Sequence, residues 1–486
     1  MLGTIERLIS LLDADGVRYC HWKSNWTLAR TLEGDTDLDL LIHPEDAARF
    51  REVLKDLGFK PSFETGIKEL GGVEHRHALD EETGRLVHIH AYERIVTGES
   101  LAKNYELPIA EQILGTVRRQ SGMPIPSAGA ELIVFMLRML IKHTTAVELV
   151  LVMRDRRSFE AEVRWLMSEA ALAEALELLP TWFSSIEPDL FIDAYRALEG
   201  PGPLWRRVVV GLKVRKRLRP YARVHPFRAQ VVGVRRFTRR LWFRVRGSVK
   251  KLSPGGGGVI IAFVGSEATG KSTVIGEIAG WFGDHFTYWL IHAGKPPSTM
   301  LTWAPHRLLP VLRRLFPRQR STRVESAYRD TPGRNDSYPL AFALRSVMLG
   351  YERKVLLQRA ARCAAAGTIV LSDRYPSDGV GAPDGAQLAG VPEASDALRR
   401  RLAAQEARLY DRMPTPDLVL FLTAPLDVTI ERNAARDKIE DEAFVRTRHA
   451  LSEQIDFSTA PVTLIETDRP LEDVLHDIKK AIWDAL

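Results

Sequence analysis

Apolar residues recur along this chain with two different periods. Leu2, Ile5, Leu8, Ile9 and Leu12 fall at helical spacing as far as Gly16 and predict an amphipathic helix. VRYCHW (17–22), LDLLI (38–42) and RLVHIHAY (85–92) read as strands. HPEDAARFREVLKDLGF, between the last two, reads as a helix with proline in its first turn. Residues 1–120 are therefore expected to form a small α/β domain. Residues 121–202 are rich in Ala, Leu and Glu and read as helical. Their longest apolar region, Glu131 to Met153, is interrupted by Arg138, Lys142, His143 and Glu148, so it predicts a buried helix pair and no membrane span.

The last part of the chain alternates strand with helix. VIIAFV (259–264) is an apolar strand followed by the helical pattern TVIGEIAGWF. AGTIVLSDRYPSD (366–378), PDLVLFLTAPLDVTIERNAARDKIEDE (416–442) and PVTLIETDRPLEDVLHDI (461–478) each carry a further buried strand, the last two with helices behind them. This order predicts an α/β domain over 259–486, a parallel sheet flanked by helices.

Charge divides the picture further. The net charge is +6, yet from Pro201 to Val259 there is no Asp or Glu and there are 17 Lys and Arg, leaving about −11 for the rest. Residues 203–258 thus read as a basic connector, split by Pro220 and Pro226 and ending in a flexible joint at Gly255–Gly258. Val234, Phe237, Leu241, Val245 and Val249 take helical spacing, with Arg235, Arg236, Arg239, Arg240, Arg244 and Arg246 around them. Three partners stay open for 203–252: an anionic phospholipid surface, ranked ahead of nucleic acid, and the acidic patches of the flanking domains. Cys20 and Cys363 form neither a disulfide framework nor a zinc spacing, and MLGTIERLISLLDADG has no signal-peptide pattern. A cytoplasmic protein is expected, peripheral at the inner face of the membrane if the basic stretch binds lipid.

The sharpest chemical signal is GSEATGKST (265–273), a G-x-x-x-x-G-K-S loop with a strand before it and a helix after it. Gly265 and Gly270 let the backbone turn its N–H groups toward phosphate oxygens, with Ser266, Glu267, Ala268 and Thr269 between them. The helix N-terminus adds the positive end of its dipole. Lys271 supplies a mobile cation, Ser272 is placed to ligate Mg2+, and Thr273 continues the turn. ATP and Mg2+ are the expected cofactors. Arg432 and Arg436, after the third strand, suit a lid over the transferring group.

Residues 259–486 resemble the thymidylate kinase family of nucleoside monophosphate kinases. The loop GSEATGKST, the Asp373-Arg374-Tyr375 run, Arg432 or Arg436 and the Thr467-Asp468-Arg469 turn carry the resemblance. It implies that Glu267 contacts the acceptor, that Asp373 and Arg374 orient it, that Asp468 lies near adenine, and that Arg353 meets an acceptor phosphate. HAGKPPST (292–299) and PSDGVGAPDG (376–385) depart from the family on the acceptor side, as does an Arg- and Pro-rich insert near 303–335. Lys295 and Arg314 in these segments read as surface cations or as contacts to an anionic acceptor. The expected reaction is γ-phosphoryl transfer from ATP to a small acceptor, a nucleotide or a sugar- or polyol-like alcohol.

In EGDTDLDLLI (33–42) the period of a strand puts Asp37 and Asp39 on one face. Two carboxylates so placed can hold magnesium for nucleotidyl transfer. The pattern resembles the nucleotidyltransferase superfamily over about residues 15–95. Lys23-Ser24-Asn25 stands where that superfamily has a Gly-Ser turn, and His88-x-His90 where it has a third carboxylate. His88 and His90 are candidate metal ligands with Asp37 and Asp39. Three readings stay open for the whole chain: a kinase, a bifunctional nucleotidyltransferase–kinase, and a nucleotide-dependent binding protein without catalysis. The partners implied are ATP, a small-molecule acceptor, an anionic surface and a second copy of the chain.

Overall fold

A computed structural model describes the chain except residues 65–72, 100–102, 143, 145–155, 200–203, 246–250, 284, 304–306, 308–339, 378–383, 389–396, 436–440, 453–456 and 458–459. Arg436, Arg314, most of the 303–335 insert and part of PSDGVGAPDG lie outside the described residues. The chain divides into two compact units, Met1–Lys250 and Lys251–Leu486.

The first unit is built on strands β1 (Tyr19–His21), β2 (Leu38–Ile42), β3 (Lys60–Glu64), β4 (Val73–Leu79) and β5 (Leu86–Tyr92). They lie in the order β1-β2-β5-β4-β3. Only the β2–β5 pair is parallel. The expected strands at 17–22, 38–42 and 85–92 are present, and the stretch after LDLLI is a short 3-10 turn, Pro44–Asp46, running into the helix Ala47–Asp56. The alternation of the strands decides which face is apolar. Leu38, Leu40 and Ile42 of β2, Val87, Ile89 and Ala91 of β5 and Ala78 of β4 share one buried cluster. Ile5, Leu8 and Leu12 of the helix Gly3–Ala14 and Phe50 and Leu54 of Ala47–Asp56 complete it. The opposite parity carries Asp37, Asp39, His75, His77, His88 and His90.

Two short hairpins follow, β6 (Ile95–Thr97) with β7 (Tyr105–Leu107) and β8 (Arg118–Gln120) with β9 (Met123–Ile125). The helix Ala128–Lys142 is buried almost all round, as its apolar sequence requires, and packs with Glu169–Trp182, Pro188–Glu199 and Leu204–Arg217 in a second core. That core also takes in Cys20, Trp22, Leu41 and Tyr92 from the sheet. Gly211 is needed where Leu204–Arg217 crosses Ala128–Lys142, because a Cβ there would sit 2.6 Å from the Leu140 carbonyl.

The basic stretch is helical on both sides of its prolines, Leu204–Arg217 and Pro226–Val245. In its first half Arg215 pairs with Glu99 (3.3 Å), Arg217 with Glu187 (2.5 Å) and Arg223 with Glu106 (3.4 Å), all within the same unit. In the second half Val231, Val234 and Phe237 are exposed. Among the described residues no helix is long and apolar enough to cross a membrane.

The second unit opens on the short strand β10 (Leu252–Pro254) and is built on a parallel sheet. Its strands are β11 (Ile260–Val264), β12 (Tyr288–His292), β13 (Ile369–Asp373), β14 (Leu418–Thr423) and β15 (Val462–Glu466). Their order is β12-β13-β11-β14-β15, every neighbouring pair parallel. All five residues of β11 are buried, and each large apolar side chain so buried is worth about 1.5–3 kcal/mol. The central strand is therefore also the best anchored. The chain leaves β11 toward one edge and returns later to the other edge. Crevices that receive ligands open at such reversals, at the carboxyl ends of the strands.

Candidate functional site

The GSEATGKST loop leaves the carboxyl end of β11 at this reversal and enters the helix Lys271–Gly283. Three loop residues have positive φ: Gly265 (+141°), Ala268 (+63°) and Gly270 (+85°). At Gly265 a side chain is excluded twice, by this φ and by the Leu422 carbonyl, which would lie 2.2 Å from a Cβ. The Lys271 amine lies inside the loop, donating to the Gly265 (3.1 Å) and Ser266 (2.5 Å) carbonyls. Thr269 closes the turn by donating its hydroxyl to the Ser266 carbonyl at 3.0 Å. Ser272 and Thr273 are exposed on the first turn of the helix. This is a concave run of backbone with a cation at its base, the form that suits a polyphosphate.

One side of the loop opens into a cavity of about 270 Å³, lined by Ala268, Thr269, Gly270, Thr273, Val274, Arg432, Thr467, Arg469, Leu471 and Val474. Arg432, on the helix Leu426–Ala434, reaches the cavity because it donates to the Thr467 carbonyl at 2.8 Å and hydroxyl at 3.2 Å. Asp468 is exposed between two lining residues and does not itself line the cavity.

Glu267, which does not line that cavity, starts a linked series of charges. Glu267 pairs with Arg374 at 2.5 Å and with Arg448 at 3.7 Å. Arg374 reaches Asp384 at 3.4 Å, and Asp384 pairs with Arg353 at 2.7 Å. Arg374 has φ +70°, strained for a residue with a side chain, and turns its guanidinium back toward the loop. Burial would raise the Glu267 carboxyl, but the Arg374 guanidinium outweighs it and holds the group below the usual range. Asp373 ends β13, and its carbonyl contacts the His292 Nδ1 at 3.1 Å. Asp384 and Arg448 were not foreseen. Asp384 lies in the segment that departs from the resembled family, and nothing in EAFVRTRHALS distinguishes Arg448 from a surface cation. Arg353, expected to meet a phosphate, is instead 4% exposed. Its Nε donates to the Ala293 carbonyl (2.9 Å) and its other nitrogens to Asp384 and the Tyr410 hydroxyl. It ends the series of charges on Asp384. Lys295 is exposed.

In the first unit the register of β2 with β5 sets Asp39 opposite His90. His88 Nδ1 lies 2.7 Å from Asp37 and His90 Nδ1 lies 3.2 Å from Asp39. The structure thus brings the four expected side chains together. It adds His75, and it gives Lys23 of the Lys23-Ser24-Asn25 run a carboxylate partner. Lys23 lies 2.8 Å from Asp39 and donates to the Tyr92 hydroxyl at 2.9 Å. His75 of β4 has its Nδ1 3.2 Å from His88 Nε2. VEHRHAL gives no apolar strand pattern because its alternation sets imidazoles, not apolar groups, on one face. Burial, and then the neighbouring His90 and His88, hold the His75 imidazole down to about 3. Burial would raise the Asp39 carboxyl, but Lys23 and His90 overcome it and keep it ionised.

No family model matches this chain, and no curated protein matches it. Among solved structures it is similar to deoxyadenosine kinase from M. mycoides with bound dATP, at 13% identity and a TM-score of 0.29, over 46% of this chain and 98% of that one. It is also similar to TT1252 from Thermus thermophilus, at 18% identity and a TM-score of 0.28, over 47% of this chain and 98% of that one.

Proposed function

We propose that the unit Lys251–Leu486 is an ATP-dependent phosphotransferase acting on a hydroxyl of a small, uncharged, sugar- or polyol-like acceptor. The observation that carries this reading is the position of the Glu267–Arg374 pair on the phosphate-binding loop itself, opposite the Arg432 cavity. ATP would lay its β- and γ-phosphates in the loop, with Lys271 drawn from the carbonyls onto them and its base toward Thr467 and Arg469. Ser272 would hold a magnesium ion, whose charge offsets that of the phosphates. Arg432 stabilises charge on the transferring group. Glu267 orients the acceptor hydroxyl and takes its proton as the new P–O bond forms, while the bond from the γ-phosphorus to the bridging oxygen breaks and ADP leaves with that oxygen.

This series of ion pairs favours an alcohol over a phosphate ester. Arg353, Arg374 and Arg448 each face a carboxylate already. A phosphorylated acceptor would have to displace those carboxylates, whereas an alcohol needs only Glu267. The bifunctional reading is less favoured, because magnesium at Asp37 and Asp39 would have to expel the Lys23 ammonium from Asp39.

ADP release by the full-length chain, measured over sugars, polyols, nucleosides and nucleoside monophosphates, tests the proposal. Release stimulated by uncharged alcohols, with kcat lowered on the order of 10²-fold in Glu267→Gln, supports it. Release indifferent to every acceptor defeats the kinase reading. A monophosphate as the best acceptor defeats the alcohol assignment alone.

A further inference from the structure

The three imidazoles His75, His88 and His90 converge on the polar face of the first unit. Their ring nitrogens include one from each residue that lie within 4.8 Å of one another. His75 Nδ1 and His88 Nε2 are 3.2 Å apart. Two nitrogens bound at about 2.1 Å to one tetrahedral ion stand roughly 3.4 Å apart, so this pair already has the spacing that an ion requires. His88 and His90 belong to β5 at same-parity positions, and His75 stands directly opposite His90 in the β4–β5 register. The backbone, not a mobile loop, therefore fixes all three.

The carboxylates have a different place from the one that the strand motif implied. Asp37 faces His88 Nδ1 at 2.7 Å and Asp39 faces His90 Nδ1 at 3.2 Å. A carboxylate on one ring nitrogen fixes the tautomer and aims the other nitrogen at a metal. Lys23 holds Asp39 from the far side at 2.8 Å. We propose that His75, His88 and His90 ligate a divalent first-row transition metal such as zinc or cobalt, with Asp37 and Asp39 as the outer partners that orient His88 and His90. Three neutral nitrogen donors select this class of ion over magnesium or calcium, which take oxygen. His75 and His90 are partly exposed, so the fourth place falls to water or a small ligand. This site is independent of the kinase reading, since all its residues belong to the first unit.

The test uses the full-length protein, stripped with chelator and titrated with Zn2+ or Co2+ alone. The expected result is one ion per chain, a tetrahedral Co2+ visible spectrum, and loss of both in His75→Ala and in His88→Ala. His75 is partly exposed, so its removal should leave the fold intact, as circular dichroism will verify. Asp37→Asn should keep the stoichiometry and the spectrum and weaken affinity about 10- to 100-fold. Failure to bind either ion, or binding unchanged in His75→Ala, overturns the site. Loss of binding in Asp37→Asn as complete as in His88→Ala overturns the assignment of the carboxylates.

Discussion

The GSEATGKST loop and the histidine face are both polar sites set on buried strands, but they are put together in opposite ways. The loop is one run of nine residues, and its ligand groups are mostly backbone, so the spacing of two glycines, a lysine and a serine defines it. The histidine face draws Lys23, Asp37, Asp39, His75, His88 and His90 from four stretches of chain. Only strand register and parity bring them together. A site made from contiguous backbone can be read in a sequence, and a site made from register can be read only as far as its strands can.

That difference can be broken most severely at Lys271. Lys271→Ala removes the cation of the cradle and leaves its backbone. It should lower kcat by at least ~10²-fold, the scale of losing one charge stabiliser, while cobalt binding at the histidine face stays as in the parent. A shared loss would mean that the two sites are not separate devices.

Glu131 links the helical part of the first unit to its sheet. It lies buried on the helix Ala128–Lys142 and accepts from the Asn25 side chain at 2.9 Å, and Asn25 in turn contacts His21 at 2.6 Å. Burial pushes its carboxyl up to about 7. The folded state then holds a proton that the unfolded chain releases near pH 4.5. This contribution is fully present below about pH 4.5, falls as pH rises to about 7, and stays lost above that. Its size is on the order of 3 kcal/mol. Glu131→Gln should flatten the fall in the urea midpoint of the first unit between pH 5 and pH 8. An unchanged slope would mean that Glu131 ionises freely in the fold.

The smallest effect concerns the basic stretch. Val231, Val234 and Phe237 are exposed on Pro226–Val245, and these apolar side chains are the ones expected to enter an anionic bilayer. Phe237→Ser should weaken partitioning onto phosphatidylserine vesicles by about 1 kcal/mol, roughly fivefold. Full-length protein that ignores such vesicles at low salt would place the cations inside the fold instead.

Much of the architecture was legible because its strands are apolar. VIIAFV, TIVLSD and DLVLFL lie close to β11, β13 and β14, and LDLLI coincides with β2. β3 and β4 were not legible. KPSFE carries a proline and a lysine, and VEHRHAL sets His75, His77 and Leu79 on one face against Glu74, Arg76 and Ala78 on the other. With β4 unseen, His75 had no place, and His88 and His90 were paired with carboxylates alone. On the acceptor side Arg353, which by resemblance meets an acceptor phosphate, is held by Asp384 at 2.7 Å. Asp384, which satisfies it, belongs to a loop whose course no periodicity records. Leu388, four residues on, donates its amide to Glu406 at 2.7 Å across 18 residues of chain.

The most direct measurement is equilibrium binding of ATP with magnesium by calorimetry to the parent chain, Lys271→Ala and His75→Ala. One nucleotide per chain is expected in the parent and in His75→Ala, with affinity reduced at least ~10²-fold in Lys271→Ala. ATP bound as tightly by Lys271→Ala as by the parent, or lost in His75→Ala, would contradict this expectation.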